Sequence, residues 1–215
     1  MIPIVPMRPL PTTLLLTILL LTACRPSPPS DSPASGAQAS AEVSRPELLP
    51  LGRQIMSETF ALLSSNLTNA IAQGGPTNAL HFCSAQALSL TDSIAQRHQA
   101  DIRRVSHRAR NPGNRPSDAE FRLLREYQGG LSRGVTNPPV LHQHASGEVT
   151  FYAPILISQS TCLVCHGQPG TDIAPTTLAT LDQLYPEDEA RGFRLGDLRG
   201  LWAIRFPASP KPTPQ

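Results

Sequence analysis

Two cysteines and a histidine stand in the run Cys162-Leu163-Val164-Cys165-His166. Thiols three positions apart can each form a thioether to one vinyl group of a haem. The adjacent histidine then presents its imidazole to the iron from the same side. This is the C-x-x-C-H pattern of c-type haem attachment. A zinc site built on such a pair needs further ligands, and a second pair is absent. A thioredoxin-like redox disulfide would follow a βαβ pattern, and none precedes this one. Neither rival employs His166. The expectation is therefore one covalent haem c, attached through Cys162 and Cys165, with His166 on the iron.

The opposite face of the iron is harder to assign. Methionine is the usual second ligand in small electron-transfer cytochromes. Beyond the first residues the chain has only Met56, and no methionine or histidine follows His166. The small cytochromes with an N-terminal motif and a later methionine are thus excluded. Four-helix-bundle cytochromes carry the motif near the C-terminus, but the Pro/Gly-rich, strand-like stretches between residues 130 and 170 argue against a bundle. The candidates are Cys83, Met56, one of His81, His98, His107, His142 and His144, or an open position. Met56 lies on a helical apolar stripe with Phe60, Leu63, Leu67 and Ile71, which reads as core. Cys83 lies on another stripe with Leu80, Ala87, Leu90 and Ile94, which points it inward. A buried small hydrophobe is a common fate for a free cysteine, so spacing leaves the choice open.

The fourth cysteine, Cys24, closes a different pattern. Residues 1–23 have Arg8 as their single charge, then an apolar run from Leu14 to Leu21. That run is shorter than the roughly 20 residues a membrane span needs and reads as a signal peptide. It ends in Leu21-Thr22-Ala23-Cys24, which resembles the lipobox of bacterial lipoproteins. The resemblance implies cleavage before Cys24 and acyl chains that hold the protein at a membrane surface. Arg25, in place of an aspartate, favours the periplasmic face of the outer membrane. Residues 24–47 are rich in Pro, Ser and Ala and form a flexible tether. Residues 208–215 read as a similar tail. Residues 48–207 are long enough for one domain with its own core. A net charge of +2 gives no footing for nucleic acid, and two haem propionates would cancel it.

At this point the chain resembles a family of c-haem proteins with a PAS-like fold, first described in cyanobacteria and long catalogued as a domain of unknown function. The resemblance spans about residues 50 to 206. Its most specific segment runs from Ile102 through Ser106-His107-Arg108-Ala109-Arg110-Asn111-Pro112-Gly113-Asn114 to Pro116, followed by Ser117-Asp118-Ala119-Glu120. Phe82-Cys83, Tyr152-Ala153-Pro154-Ile155, Cys162 to Gly167, and Gly196-Asp197-Leu198-Arg199-Gly200-Leu201-Trp202 support it in order. What the resemblance implies is a haem iron held by histidine on one face and cysteine thiolate on the other, here His166 and Cys83. A ferric centre stabilises such a thiolate strongly.

These residues must be positioned by an α+β domain with a helical N-terminal part and a PAS-like antiparallel sheet. The pattern predicts a helix over 49–73, a stop at Gly74-Gly75-Pro76, and a second helix over 77–99 carrying Cys83. A short strand over 102–106 leads into a rigid turn at 111–116, shaped by Asn111 and Asn114. A capped helix from Ser117 closes at Gly129-Gly130. Strands over 140–142 and 149–157 flank Gly147, a helix covers 176–184, and a last strand covers 201–206. Arg103, Arg104, Arg108 and Arg110 form the densest basic cluster. Such clusters commonly face water, but guanidinium forks also suit carboxylates, so one or two of them could pair with haem propionates; Arg104 and Arg110 are the candidates, though spacing does not choose among the four. Three uses fit: a low-potential electron carrier or redox-responsive protein, a gas sensor whose Cys83 leaves the iron, and, ranked last, a haem-thiolate enzyme. Each calls for a partner or substrate that the sequence does not name.

Overall fold

The computed structural model describes residues 45–135 and 137–208. The expected signal peptide, Cys24 and the tether to residue 44 lie outside them, as does the tail from residue 209. Helix α1 (Arg45–Arg97) is broken at Gly74 and Gly75, the latter at φ 72°. Glycine takes that left-handed conformation without the penalty of a Cβ. The expected two helices are therefore present as two arms, and the first begins four residues before Leu49. The arms fold back on one another. Asn78 Nδ2 donates to the Ala70 carbonyl across the break, and His98 Nε2 meets Glu58 Oε2 at 2.8 Å far from it.

Strand β1 (Asp101–Val105), a 3-10 turn (Pro112–Asn114) and helix α2 (Asp118–Ser132) follow. Asn111 shapes the turn as expected, its Oδ1 accepting from Gly113 N at 2.9 Å. The capping box at the start of α2 is formed in full between Ser117 and Glu120. The end of α2 differs from expectation. Gly129 and Gly130 lie within the helix, which stops at Ser132 before Gly134 at φ 71°. Gly130 instead makes room: a Cβ there would lie 2.5 Å from the Asn137 side chain. The glycine pair reflects a close approach, not a helix stop.

Strands β2 (Val140–Gln143) and β3 (Val149–Leu156) form a hairpin, and β4 (Leu198–Phe206) returns between β3 and β1. The sheet is wholly antiparallel in the order β1-β4-β3-β2. Its two faces bury different partners. Ile102, Val149, Phe151, Ala153, Trp202, Ile204 and Phe206 pack under α1 against Leu48, Ile55, Ile94 and Ala95. Val105, Tyr152, Leu201 and Ala203 pack under α2 against Leu124 and Tyr127. With both faces covered, β3 and β4 carry nearly continuous apolar runs. The α1 backbone reaches the sheet at Gly52, where a Cβ would lie 2.4 Å from the Phe151 ring. That contact sets the rotation of the first arm. Ile55 and Thr59 are fully buried, Met56 packs partly into the core, and Phe60, expected inward, is 55% exposed.

Helices α3 (Ser160–His166) and α4 (Pro175–Leu184) lie in the long connection between β3 and β4. Its neck is pinched shut: Ile157 N donates to the Asp197 carbonyl at 2.9 Å, and Gly196 N to the Ile157 carbonyl at 2.8 Å. Everything between residues 157 and 197 is thus one insertion mounted on the two central strands. No helix among the described residues is long and apolar enough to cross a membrane.

Candidate functional site

Helix α3 carries Cys162, Cys165 and His166. Residues three apart on a helix share a face, and here their thiols meet different neighbours. Cys162 packs against Ile157, Ala190 and Phe193, while Cys165 packs with Leu80, Ile173 and Leu181. No disulfide joins them. So short a helix holds its shape only if its terminal carbonyls are satisfied from outside. Two of the residues that do this come from the far side of the insertion, and one from the segment after β1. Phe193 N donates to the His166 carbonyl at 2.9 Å, and Gly192 N to the Gly167 carbonyl at 2.7 Å. Arg110 Nη2 donates to the Cys165 carbonyl. Gly167 must lack a side chain, because a Cβ would lie 2.4 Å from Asp172 and 2.7 Å from the Leu163 carbonyl.

The His166 ring is fixed in the same way. Its Nδ1 lies 2.8 Å from the Ala190 carbonyl; a carbonyl only accepts, so Nδ1 carries the proton and Nε2 keeps a lone pair. Phe193 holds the ring edge-on, with centroids 6.2 Å apart. Burial, then the cations of Arg199 and Arg110, hold the imidazole well below its ordinary pKa, against the pull of the Ala190 carbonyl. A neutral imidazole with a carbonyl-bound Nδ1–H is what a metal-ligating histidine requires.

Cys83 sits on the second arm of α1, half-buried, on the inward face with Leu80, Ala87, Leu90 and Ile94. Burial pushes its thiol up, while Arg104 and Arg110 draw it down. Cys165 and Tyr185 both feel the charge of Cys83. The structure thus gathers Cys83, Cys165, Arg104, Arg110 and Tyr185 in one neighbourhood beside α3. The other candidates lie elsewhere. Met56 belongs to the core under α1, His98 pairs with Glu58, and His81 is exposed. His142 and His144 meet edge-to-face at the β2–β3 hairpin, where His144 also meets Thr150. His107 lines a groove beside Arg108, Leu131 and Phe193, on the α2 side.

The four clustered arginines separate by role. Arg103 reaches Glu120 of α2 at 3.5 Å. Arg108 covers the Phe193 ring at 4.2 Å. Arg110, only 14% exposed, bonds Asp188 Oδ1 at 3.1 Å and the carbonyls of Cys165 and Ala190. It clamps α3 to the 188–190 segment. Arg104 faces the α1 side of β1, like Ile102, and makes no ion pair with a described carboxylate. Tyr185, Asp188 and Phe193 escaped the sequence reading, and Arg199 entered it only within the 196–202 segment, without a role. A Phe in a polar run and an Arg near the start of a strand carry no spacing signal of their own; contacts reveal what they do.

A haem attached by thioethers needs two thiols on one face, a neutral imidazole, and cations for two carboxylates. The residues present fit each requirement. No group of three or more His, Cys, Asp or Glu side chains gathers into a metal site among the described residues.

A model of the Tll0287-like family matches residues 35–207. Among solved structures, the chain is similar to the crystal structure of the cyanobacterial heme-protein Tll0287. The likeness covers 79% of this chain and all of that one, with a TM-score of 0.60 and 23% identity, and it concerns the fold. Curated proteins offer no match.

Proposed function

The chain belongs to the Tll0287-like family, and on that premise we propose that it is a c-type haem protein acting in low-potential electron transfer or redox response. One observation carries the reading. His166, with Nδ1 tied to the Ala190 carbonyl, stands beside two free thiols on a helix whose end is pinned from three directions. One haem is bound by thioethers from Cys162 and Cys165, and its iron is held by His166 on one face and Cys83 on the other. The bound group supplies one-electron chemistry. The protein holds the imidazole neutral and oriented, and sets cations beside the Cys83 sulfur. Arg104 is placed to meet a propionate; Arg110, expected to do the same, has most of its donors committed to Asp188 and to two carbonyls.

Export and lipid attachment at Cys24 belong to the same proposal, since haem is attached to such motifs outside the cytoplasm. The partner is then a redox or signalling protein at the membrane surface. The deciding experiment compares the absorption spectra of oxidised wild-type protein and Cys83→Ala. Loss of the low-spin thiolate spectrum is expected; an unchanged spectrum would remove Cys83 from the iron. Exposing the reduced protein to carbon monoxide separates carrier from sensor, because binding requires Cys83 to yield its place.

A further inference from the structure

Arg199, the second residue of β4, lies beside the neck of the insertion and reaches the 108 and 193 segments with its side chain. Its Nη1 donates to the Arg108 carbonyl at 3.1 Å, and its guanidinium lies 5.4 Å from the centre of the Phe193 ring. Its own carbonyl accepts from Ser106 Oγ at 2.7 Å, so the backbone there is anchored to β1. Its Nε is sealed from solvent and donates to no described residue. A buried N–H without an acceptor is costly, and a buried cation without a counter-charge more so.

The surrounding charges sharpen the case. Asp188 is the carboxylate whose field reaches Arg199, and its oxygens are already bonded by Arg110, Arg191 and the Ala190 amide. Arg104 and Arg110 add further positive charge to the same neighbourhood. Arg110 has a carboxylate partner; Arg104, Arg108 and Arg199 have none among the described residues, and Arg108 lies over the Phe193 ring with its Nε on the Glu189 carbonyl. Uncompensated cations at Arg104 and Arg199 suit an anionic ligand. Arg199 is also the foremost charged influence on His166, which places it on the imidazole side of the site.

We propose that Arg199 is an anion-binding residue of the cofactor site, donating its free Nε–H to one carboxylate of the haem. Arg104 serves the other. The inference rests on the haem reading above and adds a residue to it. The physical reason is reciprocal: the carboxylate would satisfy an N–H and a charge that the folded chain leaves unmet, and the guanidinium would keep that carboxylate ionised.

The test uses haem-loaded wild-type protein, Arg199→Lys, Arg199→Gln, and Arg205→Gln as a control on the exposed pair with Asp101. Two readouts are followed: the propionate-bending bands in resonance Raman spectra, and the midpoint potential across the mildly acid to neutral range. Both Arg199 variants should shift the bending bands, and the control should not. Arg199→Gln should lower the potential, since removing a cation favours ferric iron. It should also give the potential a fall with rising pH that wild type lacks, because the freed carboxylate now titrates. Arg199→Lys should restore most of the potential but not the bands, since it returns the charge without the guanidinium geometry. Unmoved bands in Arg199→Lys overturn the proposal, and that holds even if Arg199→Gln fails to fold. If wild type carries haem and neither variant moves, this inference falls alone; if wild type takes up no haem, it falls with its parent.

Discussion

Asp188 shows how one side chain can order a site it does not enter. Its side chain is fully buried, and its oxygens accept from Arg110, Arg191 and the amide of Ala190. Burial pushes the carboxyl up, but the Arg110 cation and the hydrogen bonds from Arg191, Ala190 and Arg110 together outweigh it and hold it below its ordinary 3.8. A carboxyl depressed by folding contributes stability above its unfolded pKa and loses that contribution as pH falls through its folded one. Wild type should therefore lose stability progressively as pH drops below about 4, beyond the general effect of acid. Asp188→Asn should be less stable at neutral pH by about 3 kcal/mol, with a flatter acid limb in urea unfolding. Parallel curves for the two proteins would mean that the ion pairs add nothing. The same reasoning explains why Arg110 is a clamp: its donors are already directed at Asp188 and at the carbonyls that end α3.

At the scale of elements, the first arm of α1 approaches the sheet most closely at Gly52, whose backbone lies on the Phe151 ring. Gly52→Ala improves helix propensity by up to about 1 kcal/mol, yet it drives a methyl into a ring in the middle of the sheet. Overpacking of this kind costs about 1–3 kcal/mol, so the expected net change is a lower melting temperature. A higher one would mean that the arm can lift without loss. The break at Gly74-Gly75 was legible because glycine, glycine and proline together forbid a continuous helix. The pair at Gly129-Gly130 looked the same on paper and did the opposite, because its reason lies in the distant Asn137. Likewise Met56 and Leu63 of the apolar stripe pack against the core as read, but Phe60 on that stripe is exposed and Ile55 and Thr59 beside it are the fully buried residues. Periodicity shows that a helix has a buried side, but the depth of docking at Gly52 decides which residues face it.

For the whole molecule, the proposed Cys83 thiolate would make a ferric-favouring centre, since an anionic sulfur stabilises the higher charge. A redox titration of the holoprotein should give a potential well below that of His/Met cytochromes, and a clearly positive value would contradict the assignment of Cys83. Lipid attachment is tested separately. Cys24→Ser should move the protein from the membrane fraction to the soluble one, while leaving the haem spectrum unchanged. Cys83 belongs to the helical N-terminal part and His166 to the insertion on the sheet. A haem bound to both would tie the two parts together, which makes the second arm of α1 the element most sensitive to cofactor loss.

The sequence by itself determined the attachment motif on which the haem proposal rests, because Cys162, Cys165 and His166 are adjacent in the chain and need only their own spacing. It also determined the α+β class, since turn residues and apolar periodicity act locally. The tertiary structure decided how that chemistry is held. The carbonyl that orients His166, the carboxylate that engages Arg110, and the buried Nε of Arg199 come from segments 24 to 78 residues away from their partners or from the motif. Such contacts leave no local trace, because what selects them is the closure of the insertion at Ile157, Gly196 and Asp197. That closure brings residues 188–199 against a motif to which no spacing rule connects them.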